Sequence, residues 1–191
     1  MCIGFDVRIR HFAVLIAVGT SAVVLAADPS EISNFREYTS SYASSGQPTE
    51  DQLETLRDSK FERVIYLAYT NQSSSLANED FLVKKLGMDY VHIPVEFGAP
   101  TKSDFYTFAA IMEQQPEKKT LLHCQVNFRA SAFSLLYRVI YQGVAIEDAK
   151  EDMNSVWSPN DIWRKFIFDV LQDNNVSPYC DVCDWNIAES N

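Results

Sequence analysis

Cys124 stands at the end of a short apolar run, Thr120-Leu121-Leu122-His123, and Arg129 follows it after four intervening residues, at the head of a long apolar-periodic segment. The order is strand, cysteine, loop, arginine, helix. Each part adds positive potential at one point. Successive backbone amides of a tight loop can face inward as an anion nest. A helix that begins at Arg129 directs its positive end to the same place. The guanidinium offers a planar fork of donors that matches phosphate oxygens. A thiolate is stabilised in that setting, and the result is a nucleophile beside an oxyanion site. Covalent transfer of a phosphoryl or similar group is the chemistry such a set performs. The plainer reading makes Cys124 a small buried hydrophobe after a strand. The position, the arginine and the cysteine count argued below favour the chemical one.

The surrounding elements have to place that loop. From Asp28 to Ser45 the sequence is polar and mixed, with Ser40, Ser41, Ser44 and Ser45 near its end, and it predicts a short helix and then a loop. Gly46-Gln47-Pro48-Thr49 turns into a helix in which Thr49 and Gln52 have capping-box spacing and Leu53 and Leu56 mark the buried face. Phe61 to Leu67 is a strand rich in β-branched and aromatic residues. Glu79 to Leu86 is a helix closed by Gly87, Tyr90 to Val95 a second strand, and Asp104 to Gln115 a helix with Phe105, Phe108, Ala109 and Met112 on one side. Thr120 to His123 is a short buried strand. Helices are expected over Arg129 to Gln142, Ile146 to Asn154 and Asn160 to Leu171, the last with Ile162, Phe166, Ile167 and Val170 on its core face. Alternating strands and helices predict an α/β fold: a mostly parallel central sheet flanked by helices, in three layers. Ligands of such sheets bind beyond the carboxyl ends of the strands, where the Cys124 loop lies.

The motif His-Cys-x-x-x-x-Arg-Ala-Ser ahead of a long helix resembles the active loop of a bacterial family of tyrosine/dual-specificity-phosphatase-like domains, some of them fused to metallo-β-lactamase-like hydrolases. Ser45-Gly46-Gln47-Pro48-Thr49, Val64-Ile65-Tyr66-Leu67, and Ile93-Pro94-Val95 with Ala99-Pro100-Thr101 match it as well. The resemblance runs from about Ser45 to Gln142. It implies a cysteine-phosphatase-like fold and hydrolysis of a phosphate monoester through a phosphocysteine. Cys124 would be the nucleophile and Arg129 the phosphate binder. The backbone of Gln125, Val126, Asn127, Phe128, Arg129 and Ala130 would form the cradle. His123 would steady the loop by hydrogen bonding rather than move a proton. The leaving oxygen needs a proton donor. Related enzymes keep an Asp on the loop after the second strand, and this chain has Glu96 there; Asp104 is the reserve, although an acidic residue in a first helical turn is stabilising without any catalytic role. Three departures from the usual pattern keep other readings open. Cys and Arg are separated by four residues rather than five, which is the rhodanese length. The loop has no glycine, although Asn127 tolerates left-handed geometry. Ala130 stands where phosphatases carry a hydroxyl, with Ser131 one place later. A rhodanese-like sulfurtransferase carrying a Cys124 persulfide and a non-catalytic anion- or protein-binding module are therefore retained.

The 191 residues carry a net charge of -10, with 47% hydrophobic and 22% charged residues. That composition is globular, and its acidity disfavours nucleic acid and anionic membranes. The expected partner is a phosphorylated protein or a small phosphate ester, with no cofactor. Three histidines in all are too few for a His-based metal site. Arg8, Arg10 and His11 precede an apolar run from Phe12 to Leu25, and Ala26 and Ala27 offer cleavage points. The pattern is that of a secretory signal over residues 1–27, and the run falls short of the roughly 20 residues a spanning helix needs. It predicts a periplasmic or secreted bacterial protein, with no stable membrane association after cleavage. The mature chain divides into a domain over 28–172 and a polar tail over 173–191. It keeps Cys124, Cys180 and Cys183, an odd number, so in an oxidising compartment one thiol is left over. Cys180 and Cys183 are read as a local disulfide, which leaves Cys124 free.

Overall fold

The computed structural model of the protein describes Met1 and residues 28–181 and 183–185. The expected signal segment lies outside them. After a 3-10 turn at Pro29–Glu31 come β1 (Arg36–Thr39), β2 (Tyr42–Ser45), α1 (Glu50–Asp58), β3 (Arg63–Tyr66), α2 (Glu79–Lys85), β4 (Asp89–His92), α3 (Lys102–Gln114), β5 (Thr120–His123), α4 (Phe128–Gln142), α5 (Ile146–Asn154) and α6 (Asp161–Asp173). The sheet order is β1-β2-β5-β3-β4. Every pairing is parallel except β1 with β2.

Strand periodicity divides the core in two. Ala43, Val64 and Leu121 face α1 and α2, where they meet Leu53, Leu56 and Val83. Tyr42, Ile65 and Leu122 belong to the larger cluster, with Phe105 and Phe108 of α3, Phe133 and Leu136 of α4, and Trp163, Phe166 and Ile167 of α6. The fold is thus the expected three-layer α/β arrangement. Helix α4 is buried on nearly all sides from Arg129 to Val139, as a helix enclosed between a sheet and two further helices must be. Both halves of the Thr49/Gln52 capping box are formed. No helix among the described residues is long and apolar enough to cross a membrane.

Two expectations need correction. The segment Asp28 to Ser45 is not a short helix and a loop. It forms a 3-10 turn and then a β-hairpin that supplies the sheet's edge strand and its neighbour. Its serines mislead because β2 is buried throughout, and Ser44 and Ser45 are satisfied inside, Ser44 by the Tyr38 hydroxyl and Ser45 by the Gly46 carbonyl. In α6 the core face is Trp163, Phe166, Ile167 and Val170; Ile162 is 47% exposed on the other side. The tail closes with the Cys180–Cys183 disulfide, beyond which Trp185 is buried against Phe168 and beneath the Lys150 ammonium.

Candidate active site

β5 lies between β2 and β3, so its carboxyl end opens at the centre of the sheet. The Leu67 amide donates to the His123 carbonyl at 2.9 Å and the Cys124 amide to the Ser45 carbonyl at 3.3 Å, which fixes the point where the chain leaves the strand. Four residues then reach α4. Asn127, at φ 71°, takes the left-handed conformation that turns the loop into the helix. Its side-chain amide donates to the Asn34 carbonyl at 2.6 Å, and Asn34 returns a bond to the Val126 carbonyl at 3.0 Å. The Gln47 amide donates to the Gln125 carbonyl at 3.0 Å. Gly46 permits this approach, because a Cβ there would stand 3.0 Å from the Gln125 oxygen and 3.1 Å from that of Ser33. The loop's carbonyls are therefore drawn outward to its neighbours. Among the described residues, the amides of Gln125, Val126, Phe128, Arg129 and Ala130 donate to no protein acceptor. Unpaired amides at a helix N-terminus form an anion cradle.

Arg129 is 6% exposed. Its Nε donates to the Val95 carbonyl at 3.0 Å, and the guanidinium lies over the Phe97 ring, 5.1 Å from its centroid. Neither terminal nitrogen has a protein acceptor among the described residues, so the fork is held by its base with its tips unspent. The arginine borders a cleft of about 400 Å³ together with Tyr69, Gln72, Glu96, Phe97, Gln125, Val126 and Phe128. Among the described residues, Arg129 is the cleft's one basic side chain and Glu96 its one acidic side chain. Glu96 is exposed, and its Oε1 accepts from the Gly98 amide at 3.3 Å.

Cys124 sits where the plainer reading of the sequence, a small buried residue after a strand, would place it. It is a free thiol, but it has no exposed surface and packs among apolar neighbours under the loop. The cleft is bordered by residues 125, 126, 128 and 129 and not by the cysteine itself. Asp104 is away from the cleft. It completes a capping box at the start of α3, accepting from the Thr101 amide at 3.1 Å and hydroxyl at 2.7 Å. The Ser131 hydroxyl donates to the Phe128 carbonyl at 3.2 Å and accepts from the Trp157 indole at 3.1 Å. It serves the first turn of α4, and the Trp157 ring stacks flat on Phe128 at 4.6 Å. His123 is fully buried. Its ring stacks on Tyr66 at 4.7 Å, and Nε2 lies 3.2 Å from Oε1 of the buried Glu79, close enough for ion pairing but out of line for a hydrogen bond. The same carboxylate accepts from the Gln47 side chain at 2.8 Å, so Glu79 ties the Gly46 turn to the strand before Cys124. His92 stacks on the other side of Tyr66 and approaches the Ala68 carbonyl at 2.8 Å. Burial pushes the Tyr66 phenol up.

Sequence reasoning does not single out Tyr69, Gln72, Phe97 or Glu79, and it reads Trp157 only as packing. Phe97 was within reach, as the neighbour of Glu96. Glu79 had no local signal, because it reads as an ordinary acidic residue in a helix's first turn.

The comparisons agree with this geometry. Residues 18–162 match the family model described as "DSP-PTPase phosphatase fused to NAD+ Kinase". No curated protein matches the chain significantly. Among solved structures, a DUF442 protein of Shewanella putrefaciens CN-32, described as a candidate phosphatase, is similar at 31% identity over 76% of this chain and 95% of that one, with a TM-score of 0.69. Tk-PTP in its active form (19% identity, 74% and 95% covered, TM-score 0.59) and PTPMT1 in complex with PI(5)P (15%, 74% and 96%, TM-score 0.63) share the fold. A central parallel sheet, a Cys-to-Arg loop at the mouth of a buried helix, and a family match over most of the sequence lead to one assignment: the chain belongs to the dual-specificity/tyrosine phosphatase-like family, whose function is of the cysteine-phosphatase type.

Proposed function

We propose that the protein hydrolyses a phosphate monoester, of a protein or a small molecule, through a phosphocysteine and outside the cytosol. The observation that supports this reading is that Gln125, Val126, Phe128 and Arg129, with amides and guanidinium tips left without protein acceptors among the described residues, border one cleft together with Glu96. The amides and Arg129 hold the non-bridging oxygens, whose charge rises in the transition state. The Cys124 thiolate forms the sulfur–phosphorus bond as the phosphorus–oxygen bond breaks, and Glu96 gives its proton to the departing oxygen. Water then attacks phosphorus, returns a proton to Glu96 and frees the thiolate with release of phosphate. The test is phosphate release from para-nitrophenyl phosphate by the full chain and by Cys124→Ser. The unmodified chain should turn over and the variant should not; equal rates would eliminate the reading.

One observation favours a second reading, a module that binds anions without turnover: Cys124 has no exposed surface. Alkylation by iodoacetamide separates the two. A thiol that reacts at neutral pH and is protected by phosphate supports the enzyme. A thiol that reacts only in denaturant, with phosphate binding unchanged in Cys124→Ser, supports the module.

Export rests on the charge and apolar pattern of the first 27 residues and on the Cys180–Cys183 disulfide, a bond that persists in oxidising compartments. Mass spectrometry of the protein expressed in bacteria should find a chain beginning after Ala26 or Ala27. An intact N-terminus would remove the proposal.

A further inference from the structure

Glu96 lies on a segment whose backbone is gripped on both sides by side chains from other elements. On one side, the Val95 carbonyl accepts from Arg129 Nε at 3.0 Å, and the Val95 amide donates to the Leu67 carbonyl at 3.0 Å. On the other, the Phe97 carbonyl accepts from the indole Nε1 of Trp163 at 2.9 Å. Trp163 is completely buried in α6, a helix otherwise remote from the Cys124 loop. Its ring is wedged among Phe97 (5.7 Å between centroids), Trp157 (6.0 Å) and Phe166 (5.5 Å), and its own amide is anchored by the Asn160 cap at 3.0 Å. The Phe97 ring also lies under the Arg129 guanidinium at 5.1 Å. The two carbonyls that flank Glu96, whose carboxylate borders the cleft, are thus each held by a buried side chain from a helix.

We propose that Trp163 is a positioning residue for Glu96: its indole N–H, together with Arg129 Nε, holds the 95–97 backbone so that the carboxylic acid is presented to the cleft before substrate arrives. The inference rests on the phosphatase reading above and deepens it. A hydrogen bond of this kind is modest in stability, but a displacement of about 1 Å in a reacting group can cost on the order of 100-fold in rate. The effect of losing the bond therefore falls on proton donation and not on anion binding. Proton donation matters in proportion to how poor the leaving group is. Para-nitrophenolate departs with little help, whereas phenolate needs the proton.

The experiment compares kcat/KM for phenyl phosphate and para-nitrophenyl phosphate in the full chain. Glu96→Gln sets the ceiling, with a loss of about 100-fold on phenyl phosphate. Trp163→Phe keeps an aromatic ring and deletes the N–H. Because it also leaves a void in the core, a second variant carries benzothienylalanine at position 163, which has the shape of tryptophan but no N–H. Both should lose about tenfold on phenyl phosphate and less than about threefold on para-nitrophenyl phosphate, and amide exchange at Gly98 and Ala99 should quicken. Phe166→Leu, which loosens the same cluster and leaves the N–H in place, should affect both substrates alike. Equal losses on the two substrates in the isosteric variant, or no loss on either, would overturn the positioning role while leaving the phosphatase reading in place. Absence of Cys124-dependent release in the unmodified chain overturns both.

Discussion

Arg129 does two jobs with different nitrogens. Nε holds the Val95 carbonyl, and the terminal pair remains for an anion. A lysine has a single nitrogen and cannot do both. Arg129→Lys should therefore lower kcat/KM for an aryl phosphate by at least about 100-fold, and loss of the bond to Val95 should cost about 1 kcal/mol in stability. A loss below about fivefold in steady-state kinetics would mean that the guanidinium does not bind the transferred group. Asn127 separates backbone conformation from hydrogen bonding. Its φ of 71° is costly for any residue with a Cβ but free for glycine, and its side chain also bonds Asn34. Asn127→Gly should lose only the side-chain bond, about 1 kcal/mol, and Asn127→Ala about 1 kcal/mol more, as read from urea midpoints. The reverse order would show that the left-handed turn is not strained.

At the scale of elements, the Cys124 loop is pressed against the turn that follows β2. Gly46→Ala places a methyl 3.0 Å from the Gln125 carbonyl, and backbone sits on that side. The loop must yield, so this change should cost about 1–3 kcal/mol in stability and reduce activity with it, both measurable on one preparation. An alanine variant that is as stable and as active as the parent would show that the turn does not brace the loop. The same turn shows where the sequence was legible. Local signals sufficed for the elements bearing on the site: the Thr49 cap, the strand ending at His123, the helix from Phe128. They failed for β2, whose Tyr42-Ala43-Ser44-Ser45 has no β-branched residue and becomes a strand because β5 lies beside it in register, Ser45 against His123. A non-local pairing of that kind leaves no trace in a window of neighbouring residues. The two acid candidates part in the same way. Spacing offered both Glu96 and Asp104, and only tertiary packing directs the first to the cleft and spends the second on the α3 cap. The sequence offers a buried Cys124 as one of two readings and does not choose between them, as exposure depends on how tightly the loop closes over it.

The whole molecule is tied together by buried phenols. Tyr42 bonds Ser134 at 2.6 Å, Tyr38 bonds Ser44 at 2.8 Å, Tyr66 bonds Ser75 at 2.7 Å, and Tyr137 bonds Glu113 at 2.7 Å. Each is pushed above its ordinary range of 10.0, chiefly by burial, which disfavours the phenolate. As pH rises through 10, the unfolded chain releases these protons while the native chain retains them. The native state then binds more protons than the unfolded one, and stability falls with pH, by up to about 1.4 kcal/mol per pH unit for each phenol. Lys150 acts in the opposite direction. Burial lowers its ammonium below 10.5, so the unfolded chain holds that proton longer and stability gains from rising pH. Burial raises the phenols of Tyr90 and Tyr141 as well, so this one group is outnumbered by six and the net slope should be negative. Urea unfolding between pH 9.5 and 11 should therefore show stability that falls as pH rises, and Tyr42→Phe should flatten that slope by up to about 1.4 kcal/mol per pH unit. A slope near zero in the parent, or a Tyr42→Phe slope as steep as the parent's, would mean that these hydroxyls reach water in the native state and that the core behind the Cys124 loop is looser than its packing indicates.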